Sequence, residues 1–465
     1  MTHLVNRLRF EIRCSEEQEA FEIRQNLAHV LHDVASDAIE SVCSKYDAAG
    51  ETIRIDTIEL DLGAIPRHAF ERELSFALRT RFESALLEHL RARGSEAVRQ
   101  SARQSRFELF RHVAATGALP WWEASEAVDL DTIVLELAAS SPGELRSFLL
   151  ANIAQQALWA RMAYQLGEAA LRAVVKLFPR LENAEASILR RLEAGRGAAM
   201  RVASVARESG ERPLERLALT ITVHAAPDLF ASSDVATLPE RVVVEAIERF
   251  VARNGDVVAD LVAPPPLAPA ARPAVAAPEA SATRPVQSRR ESDAATGDLV
   301  ERYVVRHAGL VLLAPFFGRL FEACALRRDD QWTHKRARYE AVHLLRYLCT
   351  GERNCAEHAL ILEKICCGVA IAEPIPRNLD LRPEVVAEAD ALLAAVIEHW
   401  KALRNTSVDG LRITFLTRDG VLTRSDDGWQ LRVERKTLDV LLDRIPWGYS
   451  TVALPWRDDL LHVEW

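Results

Sequence analysis

The chain has 465 residues, 49% of them apolar and 27% charged, the balance of a water-facing globular protein with material for roughly two to four domains. Its 58 basic and 67 acidic side chains leave a formal charge of −9, which argues against nucleic-acid binding as the main task, because phosphate neutralisation needs a basic excess; a local basic patch stays open. Arg7 and Arg9 are followed by no apolar leader core, and the strongest apolar run, Ala308–Phe317, is about half of what spans a bilayer, so a soluble protein with a cytoplasmic start is expected.

In chain order, Leu4–Ile12 sets Leu8, Phe10 and Ile12 against Arg7, Arg9 and Glu11, the two-residue period of a half-buried strand. Ser15 with Gln18 forms a capping box, and the stretch from Phe21 to Val42 has helical spacing. Ile53–Leu62 alternates again, with a phase slip at Asp56-Thr57 that suggests a bulge. Strand, helix and strand imply a parallel crossover, and Phe70–Leu90 is helical. Residues 1–92 are therefore expected to form an N-terminal βαβα cap.

Residues 93–260 read as a helical bundle. Ser141-Pro142-Gly143-Glu144 is a start signal, while Leu119-Pro120-Trp121-Trp122, Pro179, Gly195, Gly210–Pro213 and Ala226-Pro227 punctuate the stretch. No fixed repeat period stands out. Residues 261–298, opened by Ala263-Pro264-Pro265-Pro266, lack the large apolar side chains of a core and are expected to be a flexible linker. Extended at about 3.1 Å per residue, it would reach roughly 100 Å. Residues 299–465 begin with helical patterning over Tyr303–Leu326, Lys335–Thr350, Glu357–Cys367 and Pro383–Ala402. Strand patterning follows at Leu411–Leu416, Val421–Thr423 and Trp429–Val433, with Asp419-Gly420 and Asp427-Gly428 as hairpin signals. Thr437–Asp443 reads as a short helix before two last strands. The expected class is mainly α with α/β ends, the C-terminal module being a helical half plus an antiparallel β-meander.

Several of these segments resemble a known family. Met1–Leu8 and Ile55–Gly63 look like the opening strands of contractile injection system tape-measure proteins. Leu119-Pro120-Trp121-Trp122 is similar to that family's helix-breaking motif, and Ala308–Phe316 to its helix-opening signature. Leu344–Gly351, Leu362–Gly368 and Val396–Thr406 resemble its later helical blocks, and Pro446-Trp447-Gly448, Leu454-Pro455-Trp456 and Val463-Glu464-Trp465 its ending. One departure is His307, where the resemblance leads one to expect Asn; an imidazole in place of a capping amide makes that turn a candidate for pH sensitivity. The resemblance implies a phage-tail-like particle with an inner tube, a contractile sheath and a baseplate. Its implied partners are inner-tube subunits and baseplate hub or spike proteins, with self-association open. It implies no cofactor and no catalytic residue.

Trp447, Trp456 and Trp465 fit either core packing with satisfied indole N–H groups or docking on a partner; Trp121 and Trp122 divide in the same way. Cys14, Cys43, Cys324, Cys349, Cys355, Cys366 and Cys367 fit reduced thiols better than a disulfide framework. Cys349, Cys355, Cys366 and Cys367 with His343 and His358 could suggest zinc. However, adjacent Cys366 and Cys367 diverge by about 100° on a helix, which disfavours a shared metal. Asp56, Glu59 and Asp61 suit pairing with Arg7 and Arg9, or solvation, better than a metal or partner site. No phosphate loop, dinucleotide fingerprint or nucleophile elbow is present, and an enzyme is not expected. A ruler would act by length, since a helix rises about 1.5 Å per residue. The competing readings are a baseplate adaptor or chaperone that sets no length, and an enzymatic cargo loaded into the tube.

Overall fold

The computed structural model describes residues 3, 5, 8–12, 34–46, 51–55, 57–65, 70–91, 97–123, 128–207, 213–231, 239–262, 301–403, 406–425 and 428–465. Most of the linker expected at 261–298, the first helix before residue 34, and Arg7, Cys14 and Asp56 lie outside them. Helices dominate, with a mixed sheet near the C-terminus. The chain divides into two units, residues 1–108 with 280–297, and residues 109–279 with 298–465.

In the first unit, residues 34–43 are helical, as is Phe70–Arg91. Ala35, Ala38, Leu74 and Leu78 form the core of the pair, and Phe10, Leu60, Leu62 and Ile65 pack against it. Glu83 clips the two helices together by accepting from Lys45 Nζ at 3.0 Å and Tyr46 Oη at 2.9 Å. The strands depart from the expected cap. Residues 8–12 and 57–65 carry no strand. Strand β1 (Glu51–Ile55) pairs antiparallel with β2 (Ala97–Ser101), Thr52 facing Gln100, so the expected parallel pair is not seen among the described residues. Alternation survives in sequence, but at 57–65 it serves to place Leu60 and Leu62 on the helix pair.

The larger unit opens with short, well-terminated helices. Asp129 caps Leu130–Ser140 by accepting from the Asp131 amide at 3.2 Å, satisfying a donor that the helix itself cannot. Pro142 and Pro179 start their helices, where a missing N–H costs nothing. Pro213–His224 is the hub of this bundle: every residue from Leu217 to His224 is buried. It packs on Pro179–Ala194, Gln156–Gln165 and Glu168–Lys176.

The rest of this unit, from residue 301, differs from the expected helix-then-meander plan at three points. Strand β3 (Arg302–Val305) comes first, then a 3-10 helix over Ala308–Phe316 and an α-helix over Phe317–Ala323, where one helical block was expected. Pro315 inside the apolar run lacks the N–H of a regular α-ladder. A short hairpin follows, β4 (Arg327–Arg328) with β5 (Gln331–Trp332). Leu411–Leu416, expected as a strand, is helical, an α-turn passing into a π-helix. Its alternating sequence misleads; Leu411, Phe415 and Leu416 are buried while Ile413 is 74% exposed, a helical spacing. Finally, β6 (Gly420–Ser425), β7 (Gly428–Val433), β8 (Thr451–Val452) and β9 (Leu460–Glu464) join β3 in the order β3-β6-β7-β9-β8. The β6–β7 hairpin forms as expected, but β7 and β9 run parallel, Leu431 facing Val463. The sheet is therefore mixed rather than an antiparallel meander. The stretch between β7 and β9, including the 3-10 helix Thr437–Arg444, is long enough for the crossover that a parallel pair needs.

Gly309 marks the tightest approach: a Cβ there would collide with the Phe415 carbonyl oxygen, so only glycine lets the 3-10 helix lie on the π-helix. Lys335–Thr350, with its buried Leu344, Leu345 and Leu348, and Pro383–His399 complete the core.

Candidate functional site

The tryptophans singled out from sequence first act as internal pins. Trp447 donates its indole N–H to the Leu312 carbonyl at 2.9 Å and meets the Phe316 ring edge-on at 5.0 Å. Trp456 donates to the Cys366 carbonyl at 2.8 Å, and the Arg327 guanidinium lies 4.3 Å over its ring. Trp465, buried, donates to Asp439 Oδ2 at 2.9 Å and meets Tyr449 at 5.9 Å. Each bond ties the last twenty residues to a distant part of the same C-terminal half. Trp447 and Trp456 remain half-buried, with surface to offer. Trp121 is 39% exposed and meets Trp122 edge-on at 5.9 Å; Trp122 in turn faces His112 at 5.9 Å. Trp121 and Pro120 also line a small cleft with Tyr303, Val304 and Ile361.

A second feature escaped the sequence reading: charged side chains buried between residues 109–262 and 301–465. Arg161 and Lys364 are fully buried. Glu357 accepts from Arg161 Nε at 3.1 Å and from Lys364 Nζ at 2.6 Å. The cations are otherwise sated by carbonyls: Arg161 donates to Ala114 O and Ala372 O at 2.6 Å each. Lys364 donates to Ile371 O at 2.7 Å and Glu373 O at 2.8 Å. Gln165, one helical turn beyond Arg161, accepts from the Glu357 amide at 3.0 Å and donates to Ile375 O at 2.7 Å. Burial pulls the Lys364 pKa down, Glu357 opposing only in part.

Two further ties flank this triad. Arg377 donates through its amide to the Tyr164 carbonyl at 3.3 Å and through its guanidinium to Asp131 at 3.3 Å. Arg336 binds Asp260 bidentately, at 2.9 and 3.1 Å, and its amide donates to Asp256 at 3.0 Å. Asp260 also accepts from the Asp380 amide at 3.2 Å. Burial raises the Asp260 pKa despite Arg336; Arg336 is pulled down by burial but held up on balance by Asp260 and Glu340. The carboxylate, more deeply buried, bears most of the desolvation cost.

No helix of residues 102–262 packs lengthwise on an element of residues 301–465 among the described residues. A sequence signal existed: Arg161 interrupts Leu158-Trp159-Ala160 and Met162-Ala163-Tyr164, and Lys364 sits in Ile361–Cys367, each a lone cation in an apolar run. Their partners, 196 residues apart for Arg161 and Glu357, were not readable.

Histidines form a third group. His307, at the start of the 3-10 helix, accepts at Nδ1 from Arg346; burial and then the Arg346 charge push its pKa down to about 2. His343 donates from Nε2 to the Pro376 carbonyl at 2.9 Å, and burial lowers it to about 4. His224 stacks on Tyr164 at 6.0 Å, meets Phe250 at 5.1 Å, and is likewise lowered to about 4 by burial. All three are held neutral.

Cys324, Cys349, Cys366 and Cys367 are buried, while Cys43 and Cys355 are half-buried. Among the described residues no group of three His, Cys, Asp or Glu could hold a metal ion. No described helix is long and apolar enough to cross a membrane. Of the carboxylates near 60, Asp61 accepts from the Gly63 amide at 2.9 Å and Glu59 is exposed.

A family model described as contractile injection system tape measure protein matches residues 2–465. No curated protein and no solved structure matches the chain.

Proposed function

The chain belongs to the contractile injection system tape measure proteins, and from that premise we propose that it helps set inner-tube length and engages the baseplate hub. The observation that carries the proposal is the extent of the match, residues 2–465, which takes in both units. In this reading the work is geometric and no catalytic step is assigned. The chain assembles in the cytoplasm and ends inside the particle, with tube subunits along it and the hub or spike at one end. The C-terminal half supplies the docking surface, Trp447 and Trp456 being half-buried there and Trp465 holding the terminal strand in place.

The lengths of the elements bear on how such a protein could act. The longest described helix, Phe70–Arg91, has 22 residues, which at 1.5 Å per residue is about 33 Å. Among the described residues no helix is longer, so in this reading the chain measures length in a rearranged form. The same observation favours, as the second reading, a folded baseplate adaptor that nucleates assembly without measuring.

Deleting the gene from a producing strain tests the proposal. The tape-measure reading expects particles to be lost, or tubes to vary widely in length, as seen by electron microscopy. Particles of normal number and uniform length would refute both structural readings.

A further inference from the structure

We infer that residues 109–262 and residues 301–465 are built to part along their polar seam and to rejoin in a single register, the opening that a length-setting protein of this fold needs. The inference rests on the tape-measure reading for its purpose, but not for its physics.

Three observations carry it. First, each half has an apolar core or internal clasps of its own within the one compact unit. The helical half has its own core around Leu171, Leu192, Ile221 and Phe250, all buried. The C-terminal half is clasped on itself by Trp447 to Leu312, Trp456 to Cys366 and Trp465 to Asp439. Second, among the described residues no helix of the first half makes an extended contact with a helix or strand of the second. Third, the described cross-seam hydrogen bonds are made by Arg161, Gln165, Tyr164, Asp131, Asp256 and Asp260 with Glu357, Arg336, Arg377 and the main chain of 372–380.

A seam of that kind opens differently from an apolar one. Parted apolar faces stay costly in water in proportion to their area. Buried ions regain hydration on parting, which offsets much of the attraction they lose. Their fixed geometry also restricts closure to one register, because a displaced partner would leave Arg161 buried without the Glu357 carboxylate. In the closed unit Asp260 and Arg336 touch across the seam, so the intervening sequence adds nothing to the reach of the chain. Once the seam opens, residues 263–300 become the link along the chain between two folded bodies.

The test uses the full chain carrying one protease site within 263–300, cleaved after purification. The inference expects the halves to co-elute at micromolar concentration and to separate on dilution while helical circular dichroism is unchanged. Glu357→Gln should raise the dissociation constant about a hundredfold or more, since it strands the buried Arg161 that reaches it across the seam. The apolar triple variant Arg161→Met, Glu357→Leu, Lys364→Met should bind as tightly as the parent or more tightly. Halves that come apart only as helix is lost, or a dissociation constant unmoved by Glu357→Gln, would overturn it. In particles, the triple variant should fail to give tubes of wild-type length, and wild-type particles from it would also overturn the inference. Normal particles from the deletion strain would instead sink the tape-measure reading and leave the dilution result standing.

Discussion

Acidification offers the most quantitative prediction about the larger unit. His224, His307 and His343 are buried and neutral, with pKa values lowered by burial to about 4, about 2 and about 4. In the unfolded chain each returns to the ordinary value near 6.5. The unfolded state therefore takes up protons that the folded state refuses, and acid favours unfolding. The stability these residues contribute is complete above pH 6.5 and falls below it, until the folded imidazoles also titrate. At pH 5.5, one unit below 6.5, each histidine costs about 1.4 kcal/mol, so the three together remove about 4 kcal/mol relative to pH 7.5. Asp131 and Asp260 act in the opposite sense, because burial raises their pKa values and their protonation favours the fold. They enter only as pH falls through those raised values. Urea titrations followed by circular dichroism at pH 7.5 and 5.5 read the difference. His307→Asn, which keeps a polar acceptor opposite Arg346 but cannot titrate, should recover about a third of the loss. A midpoint that does not move with pH, or a pH slope untouched by His307→Asn, would refute the reasoning.

Other outcomes follow from single contacts. Glu357→Gln should destabilise the larger unit by about 3 kcal/mol in urea unfolding, while the apolar triple variant at 161, 357 and 364 should be neutral or stabilising. Gly117→Ala should destabilise by about 2 kcal/mol or more, because φ is +77° and a Cβ would lie 2.6 Å from Glu357 Oε1. Trp456→Phe should cost about 1 kcal/mol or more through the lost bond to Cys366. With Cys14 replaced by Ser, a thiol reagent should reach Cys43 and Cys355 in the native protein. Cys349, Cys366 and Cys367 should react only on unfolding, since burial raises their pKa, that of Cys366 to about 12.

Local grammar carried much of the fold. Pro142 and Pro179 begin helices, Gly195 ends one in the left-handed region, and the Asp427-Gly428 signal falls where β6 and β7 pair antiparallel. These signals act within a few residues, so one sequence suffices to read them. The failures share a cause in tertiary context. Leu411–Leu416 alternates like a strand, but β3 takes the place beside β6, and the segment coils to place Phe415 against Trp400 at 4.8 Å. A meander would set β7 beside β8, yet β8 pairs on the far side of β9 and leaves β7 to pair with β9 in parallel. At the site, the tryptophans announced themselves by type and by the prolines beside them, while the charge seam did not. Arg161 and Lys364 look like errors in apolar helices until Glu357 is placed between them, and no local rule places it there.

The central claim is that this chain sets length, and tube length measured by electron microscopy tests it most directly. Particles should be compared from strains whose chain lacks residues 263–300, carries them once, or carries them twice. The account predicts a shift of about 120 Å per copy, the proline-rich segment being extended in the particle. Three populations with the same tube length would contradict it.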